Sequence, residues 1–158
     1  MYGDNSAEFT QILQGKAFAE FVMAKVRQAL DEILIATCTL EFDAFGQSLL
    51  SELEYACQRG VRVRCLIDAS GSPNFIHDHP ALFTKLETQI RIQHARNMQD
   101  NVIVFDRRLA VVGSHALCER SIAVEPENTQ TSRCITGSEA AEFAARLEAA
   151  WERARSYT

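Results

Sequence analysis

A chain of 158 residues with 47% hydrophobic and 23% charged side chains has the size and make-up of one folded domain, and that balance excludes the disordered and fibrous classes. The 16 basic residues stand against 21 acidic ones, so a net charge of −5 gives no electrostatic ground for a nucleic-acid or anionic-membrane partner beyond a local basic patch. No apolar run is long enough to span a bilayer, and Met1-Tyr2-Gly3-Asp4-Asn5 has neither the basic nor the apolar region of a signal peptide, so the expected compartment is the cytoplasm. Residues 1–7 read as a loose tail. Glu8 to Leu13 then reads as a short opening strand, broken at Gln14-Gly15. From Lys16 the period becomes helical, with Phe18, Phe21, Val22, Val26, Ala29 and Leu30 on one face. The run Glu32 to Leu40 is short and rich in β-branched residues, and reads as a buried strand.

Asp43 is placed to cap a second helix, in which Phe45, Leu49, Leu50, Leu53 and Cys57 form one stripe and Gly60 marks the end. Val61 to Asp68 alternates at period two and runs into the loop Ala69-Ser70-Gly71-Ser72-Pro73. Strand, helix and strand in that order predict a βαβ unit with parallel strands and a right-handed crossover. Pro80 opens a short helix carrying Leu82, Phe83 and Leu86, and Ile90-Arg91-Ile92 is another short strand. Next come two apolar strands, Asn101 to Phe105 and Leu109 to Gly113, joined at Asp106-Arg107-Arg108. Polar groups gather at their open end: Gln99 and Asn101 before the first strand, Ser114 and His115 after the second. A turn over Leu117 to Ser121, a strand at Ser132 to Ile135 and a helix started by Ser138, burying Phe143, Leu147, Trp151 and Ala154, complete the chain. The expected architecture is α/β: a mixed, mostly parallel central sheet with helices on both faces.

Cys38, Cys57, Cys65, Cys118 and Cys134 are scattered singly, which suits reduced, packed thiols rather than a disulfide frame or a zinc site. His77-Asp78-His79 has no third and fourth ligand at a recognisable spacing, so it reads as a solvated loop and no metal is expected. Gly71-Ser72-Pro73-Asn74 carries no Walker or dinucleotide fingerprint, and no cofactor is expected. Arg59, Arg62, Arg64, Arg91, Arg96, Arg107 and Arg108 fall in the central half of the chain. They are either solvated residues balanced by nearby acids or a local anion-binding surface, with Arg62, Arg64, Arg96, Arg107 and Arg108 as its candidate members.

The order of elements resembles one copy of the phospholipase D superfamily domain over nearly the whole chain. The resemblance rests on the strand Glu32 to Leu40, the string Arg59-Gly60-Val61-Arg62-Val63-Arg64-Cys65-Leu66-Ile67-Asp68, the seven-residue step from Asp106 to Gly113-Ser114, and the closing Trp151-Glu152-Arg153-Ala154. The family signature has a histidine, a lysine two residues later and an aspartate five beyond, then Gly-Ser, an asparagine two after the serine, and Asn-x-Glu. Aligned on Asp106, the histidine position is Gln99, the lysine position Asn101, the later asparagine Ala116, and Asn-x-Glu becomes Asn128-Thr129-Gln130. Asp106, Gly113, Ser114 and Asn128 match the signature.

The resemblance implies a reaction in which one histidine attacks phosphorus and a second, from a partner motif, protonates the leaving oxygen. An amide at Gln99 has no usable pKa for either task. Asn101 brings no positive charge to a phosphate, and Ala116 brings no donor. The expectation is therefore a catalytically inactive domain with a degenerate motif, acting as a dimerising binding or assembly module in a larger complex. Because active family members join two motifs in one site, the resemblance also implies a homodimer, or pairing with another phospholipase D-like chain, through the face bearing Gln99, Asn101 and Ser114. Two alternatives stay open. One is a divergent phosphodiesterase, nuclease-like or phospholipid-directed, using His94 or His115, which otherwise read as surface or loop histidines; the other is a nucleic-acid-binding module.

Overall fold

Period-two and period-3.6 stretches alternate along the chain, and the computed structural model, which describes residues 11–68, 90–95, 101–123 and 128–155, places strands and helices accordingly. Strand β1 spans Gln11–Leu13, helix α1 Gly15–Gln28, β2 Glu32–Thr37, α2 Ala44–Gln58 and β3 Arg62–Asp68. Then follow β4 Arg91–Ala95, β5 Asn101–Phe105, β6 Leu109–Gly113, the one-turn α3 Glu119–Ile122, β7 Ser132–Thr136 and α4 Ser138–Arg155. The expected helix at Pro80, with Leu82, Phe83 and Leu86, lies outside the described residues. So do His77, Asp78, His79, the Gly71 loop, Arg96 and Gln99.

The strands form a seven-stranded sheet in the order β1-β7-β6-β5-β2-β3-β4. It is mixed, as expected, and β2 runs parallel to β3 across the α2 crossover, with β4 parallel beyond. The expected parallel majority is overturned, because β2–β5, β5–β6, β6–β7 and β7–β1 are all antiparallel. The cause is local for the hairpin: a three-residue link between β5 and β6 permits only an antiparallel pair, since a parallel one needs a crossover of a dozen residues or more.

Alternate residues of the central strands bury on opposite faces. Ile33, Ile35, Val63, Cys65, Ile67, Ile103 and Phe105 pack with Phe18, Val22 and Val26 of α1 and with Phe45, Leu49 and Leu53 of α2. Leu34, Val104, Ala110 and Ile135 face the other way, onto Ala140 and Ala144 of α4, while Ala36 and Leu66 meet Trp151 and Ala154 further along the same helix. Covering on both faces explains why β2 is apolar without alternation.

The helix ends follow their signals. Asp43 accepts a hydrogen bond from the Gly46 N–H at 3.0 Å, and Gly60 adopts φ +97° after α2, a conformation that glycine takes without strain. Leu30 departs from the expected stripe: α1 stops at Gln28, the backbone extends at Ala29, and the Leu30 side chain ends 78% exposed. Ala56 is buried on the α2 stripe, whereas Cys57 is only half-buried. All five cysteines are free thiols, and burial pushes Cys65 up to about 12, which removes it from thiolate chemistry.

Candidate functional site

The β5–β6 hairpin has two ends, and the antiparallel register fixes what each can do. Asn101 pairs with Gly113 at the open end and Phe105 with Leu109 at the turn. From Asn101 to Asp106 is about 17 Å at 3.4 Å per residue, so Asp106 stands a full strand length from the polar groups of the open end.

At the turn, Asp106 and Arg107 both take positive φ, 53° and 57°, and Arg108 N–H donates to the Phe105 carbonyl. The Asp106 carboxylate accepts from the backbone N–H of Asp31 at 2.7 Å, Glu32 at 2.9 Å and Leu30 at 3.0 Å. Partial burial pushes its pKa up, but those three N–H donors and Arg108 outweigh it and hold the carboxyl below its usual range. Asp106 therefore fixes the start of β2.

Beside it Glu32, 2% exposed, is met by Arg107, by Arg64 at 3.3 Å and by Arg62 at 3.6 Å. Arg64 and Arg107 also reach Glu148 of α4, whose carboxyl is held low by the Arg107 hydrogen bond, and Arg64 lies over the Trp151 ring. The structure thus gathers three of the sequence-predicted arginines around two carboxylates at the turn end, with Arg108 beside Asp106. A charged Arg107 engaged on two sides also explains how a non-glycine residue is held at positive φ.

The open end is built from hydroxyls and amides. Asn101 is 9% exposed. Its Oδ1 accepts from the Cys38 N–H at 2.9 Å and lies 3.0 Å from Thr37 Oγ1; its Nδ2 faces the carbonyls of Gly113 and Ser114 at 3.5 and 3.4 Å. Thr37 Oγ1 also lies 2.9 Å from the Thr39 carbonyl, so its single proton serves one of the two acceptors at a time. Asn101 binds the ends of β2 and β6 together with every polar atom it has.

Gly113 allows β6 and β7 to approach: a Cβ there would lie 2.3 Å from the Thr131 carbonyl oxygen. Ser114 Oγ donates to that carbonyl at 3.1 Å and accepts from Thr131 N–H at 3.0 Å. The Ala116 carbonyl accepts from Ser121 Oγ. Asn128 Nδ2 donates to the carbonyls of Ala123 (2.6 Å) and Ser121 (3.2 Å), and its Oδ1 accepts from Gln130 N–H at 3.1 Å. Gln130 Oε1 is buried with no partner among the described residues.

His115, expected as a surface or loop histidine, lies in the loop after β6 but not at the surface. The loop after β6 turns inward, its Leu117 bonded to Thr39 and Glu41 backbone, and the imidazole ends 1% exposed. It stacks on Phe18 of α1 with centroids 4.1 Å apart and rings 6° from parallel, and its Nδ1 lies 2.7 Å from Ser132 Oγ. Burial pushes the imidazole down to about 4, so it is neutral near pH 7. His94 lies on β4, opposite Ile67 of β3. Thr37, Ser132 and the buried Asp68 at the end of β3 join this end of the sheet without having been singled out in the sequence. Each lies in a strand-like string, and only the sheet order brings those strings together.

Comparison with known proteins agrees with this frame. Residues 22–153 match the family described as "Cardiolipin synthase, PLD-like domain". Cardiolipin synthase B of Salmonella typhi and that of Salmonella typhimurium are each 29% identical over 116 residues, covering 65% of this chain. The chain spans only 28% of the length of those relatives. Among solved structures, NucT from Helicobacter pylori has a TM-score of 0.70 at 11% identity, covering 91% of this chain and 96% of that one. Nuc from Salmonella typhimurium, a phospholipase D family member, has a TM-score of 0.68 at 21% identity, covering 91% and 94%. TrmBL2, an archaeal chromatin protein that binds DNA, has a TM-score of 0.64 at 17% identity, covering 96% of this chain and 55% of that one. These identities establish the fold alone; with the family match over residues 22–153, the chain belongs to the phospholipase D superfamily through its cardiolipin synthase-type domain.

Proposed function

We propose that this chain is a catalytically silent phospholipase D-like domain that works as a binding or assembly module, pairing with a second copy or with another phospholipase D-like chain. One observation carries the reading. Asn101, at the position where the family signature has its lysine, brings no cation and spends its amide on the ends of β2 and β6. Gln99, at the histidine position, offers an amide in place of a nucleophile. His115 does not fill the gap: it is enclosed by Phe18 and Ser132, with no open face for a phosphodiester. The face around Asn101 and Ser114 is the proposed pairing surface.

The similarity to DNA-binding TrmBL2 supports a second, narrower reading, a nucleic-acid-binding module, which would have to act through local charge because the chain carries −5 overall. Incubation of the purified, metal-free protein with bis-p-nitrophenyl phosphate and with single-stranded DNA should give no turnover. Its solution mass, measured alongside, should be that of a dimer. Turnover that vanishes on His115→Ala or His94→Ala would overturn the silent-domain reading in favour of a divergent phosphodiesterase. Salt-dependent DNA binding in an anisotropy titration would favour the second reading instead.

A further inference from the structure

The polar atoms at the open end are almost fully paired, and of the two exceptions, Gln130 Oε1 and His115 Nε2, the second lines a cavity. His115 Nε2 is buried and meets no hydrogen-bond partner among the described residues. The same imidazole lines a small cavity of about 10 Å³ between α1 and the open end of the sheet. Four polar side chains face that space, those of Thr37, Asn101, His115 and Ser132, and the rest of the lining is apolar and uncharged. A polar cavity needs roughly 10–15 Å³ and two to four polar partners to hold one water molecule, and a water-filled site of this kind relieves an orphaned buried group.

We propose that this cavity binds a single water molecule, held between His115 Nε2 and the hydroxyl of Thr37, as a permanent part of the fold. Donor and acceptor capacities select the partners. Asn101 Oδ1 already receives the Cys38 N–H and faces the Thr37 hydroxyl, and its Nδ2 faces two carbonyls, so the amide has little left to give. Ser132 Oγ is engaged at Nδ1, on the other side of the ring, whereas Thr37 Oγ1 keeps an acceptor lone pair beyond the bonds it makes. If the Ser132 hydroxyl donates to Nδ1, the imidazole carries its proton on Nε2 and donates it to the water, which in turn donates to the Thr37 hydroxyl oxygen. With the opposite tautomer the water donates to Nε2, so the site is satisfied either way. The water joins the end of β2 to the loop after β6 through one molecule, and it allows a neutral histidine to remain where a fully apolar residue would fill the stack on Phe18.

The test is a crystal structure of the full chain that resolves ordered solvent, together with oxygen-17 relaxation dispersion, which counts long-lived internal waters. Solvent density about 3 Å from Nε2 and within reach of the Thr37 hydroxyl is expected. His115→Phe should lose one long-lived water relative to the native protein. Thr37→Val, which keeps the shape and removes one acceptor, should retain the fold and shorten that water's residence several-fold. A dry cavity, a protein atom at the solvent position, or an unchanged count and residence in both variants would overturn the proposal.

Discussion

Asn101→Ala removes the side chain on which the open end of the hairpin depends, and its cost follows from the four contacts. The Cys38 N–H, 2.9 Å from Oδ1, loses its acceptor at a partly buried position. An unsatisfied donor of that kind costs about 2 kcal/mol, and the two longer bonds to the Gly113 and Ser114 carbonyls add roughly 0.5 kcal/mol each. Thr37 retains the Thr39 carbonyl as an alternative acceptor and contributes little. The sum is about 3 kcal/mol, which for a domain of this size lowers Tm by roughly 6–12 °C. Asn101→Lys is the informative companion. It restores the residue of the family signature but supplies no acceptor for Cys38 N–H and places a cation where only 9% of the native residue is exposed, so it should melt at least as low as the alanine variant. Thermal unfolding followed by circular dichroism decides the matter. A lysine variant melting within about 2 °C of the native protein would show that the position tolerates a signature side chain, and would refute the clasp argument.

Three further outcomes are expected. His115 has its pKa depressed from 6.5 to about 4, so the unfolded chain takes up that proton first: the associated stability is complete above pH 6.5 and is lost as pH falls towards 4. The loss reaches at most about 3 kcal/mol. Urea unfolding at several pH values should show this slope in the native protein and a flatter one in His115→Phe. Gly113→Ala would set a Cβ 2.3 Å from the Thr131 carbonyl oxygen and 2.5 Å from Ser132 Cα, forcing β6 and β7 apart at a cost of about 3 kcal/mol, visible as a Tm lower by several degrees. Asp106→Asn leaves the Leu30, Asp31 and Glu32 N–H groups with one neutral acceptor oxygen and should cost about 2 kcal/mol at pH 7. Because the folded-state carboxyl titrates below 3.8, that penalty should shrink as pH drops from 3.8 through the folded value, and a pH-independent penalty would contradict it.

Local pattern carried the elements, and pairing across the chain carried what the sequence could not show. The Asp43 cap, the Gly60 stop and the Asp106-Arg107-Arg108 bend are each written in a few adjacent residues, and each is found where its chemistry predicts. The antiparallel docking of β5 on β2 joins segments about seventy residues apart, and no periodicity encodes it. The arginines were equally opaque. The sequence left Arg62, Arg64 and Arg107 open between acid-balanced residues and an anion-binding surface, because Glu32 and Glu148, which they meet, lie in a strand and a helix at opposite ends of the chain. His115 looked like a loop residue and is one, but its loop is bonded to the segment after β2 and drawn under α1. Its burial depends on Phe18, nearly a hundred residues away.

If the domain is silent as proposed, those distant pairings also explain why part of a signature would persist. Asp106 organises the first turn of β2, Gly113 admits β7, Ser114 fastens Thr131, and Asn128 draws together the backbone at Ser121 and Ala123. Each of these contacts stabilises the fold whether or not a phosphodiester is ever cleaved, so losing any of them carries a cost in stability independent of chemistry. On the proposed reading, Asn101 went further than the loss of a function: an amide that bridges two strand ends is worth more to the fold than a flexible cation, whose hydration would have to be surrendered at a nine-tenths buried position. On that reading the same substitution, which would remove the charge needed by a phosphate, tightens the frame and makes a return to lysine costly in stability before it can yield any activity.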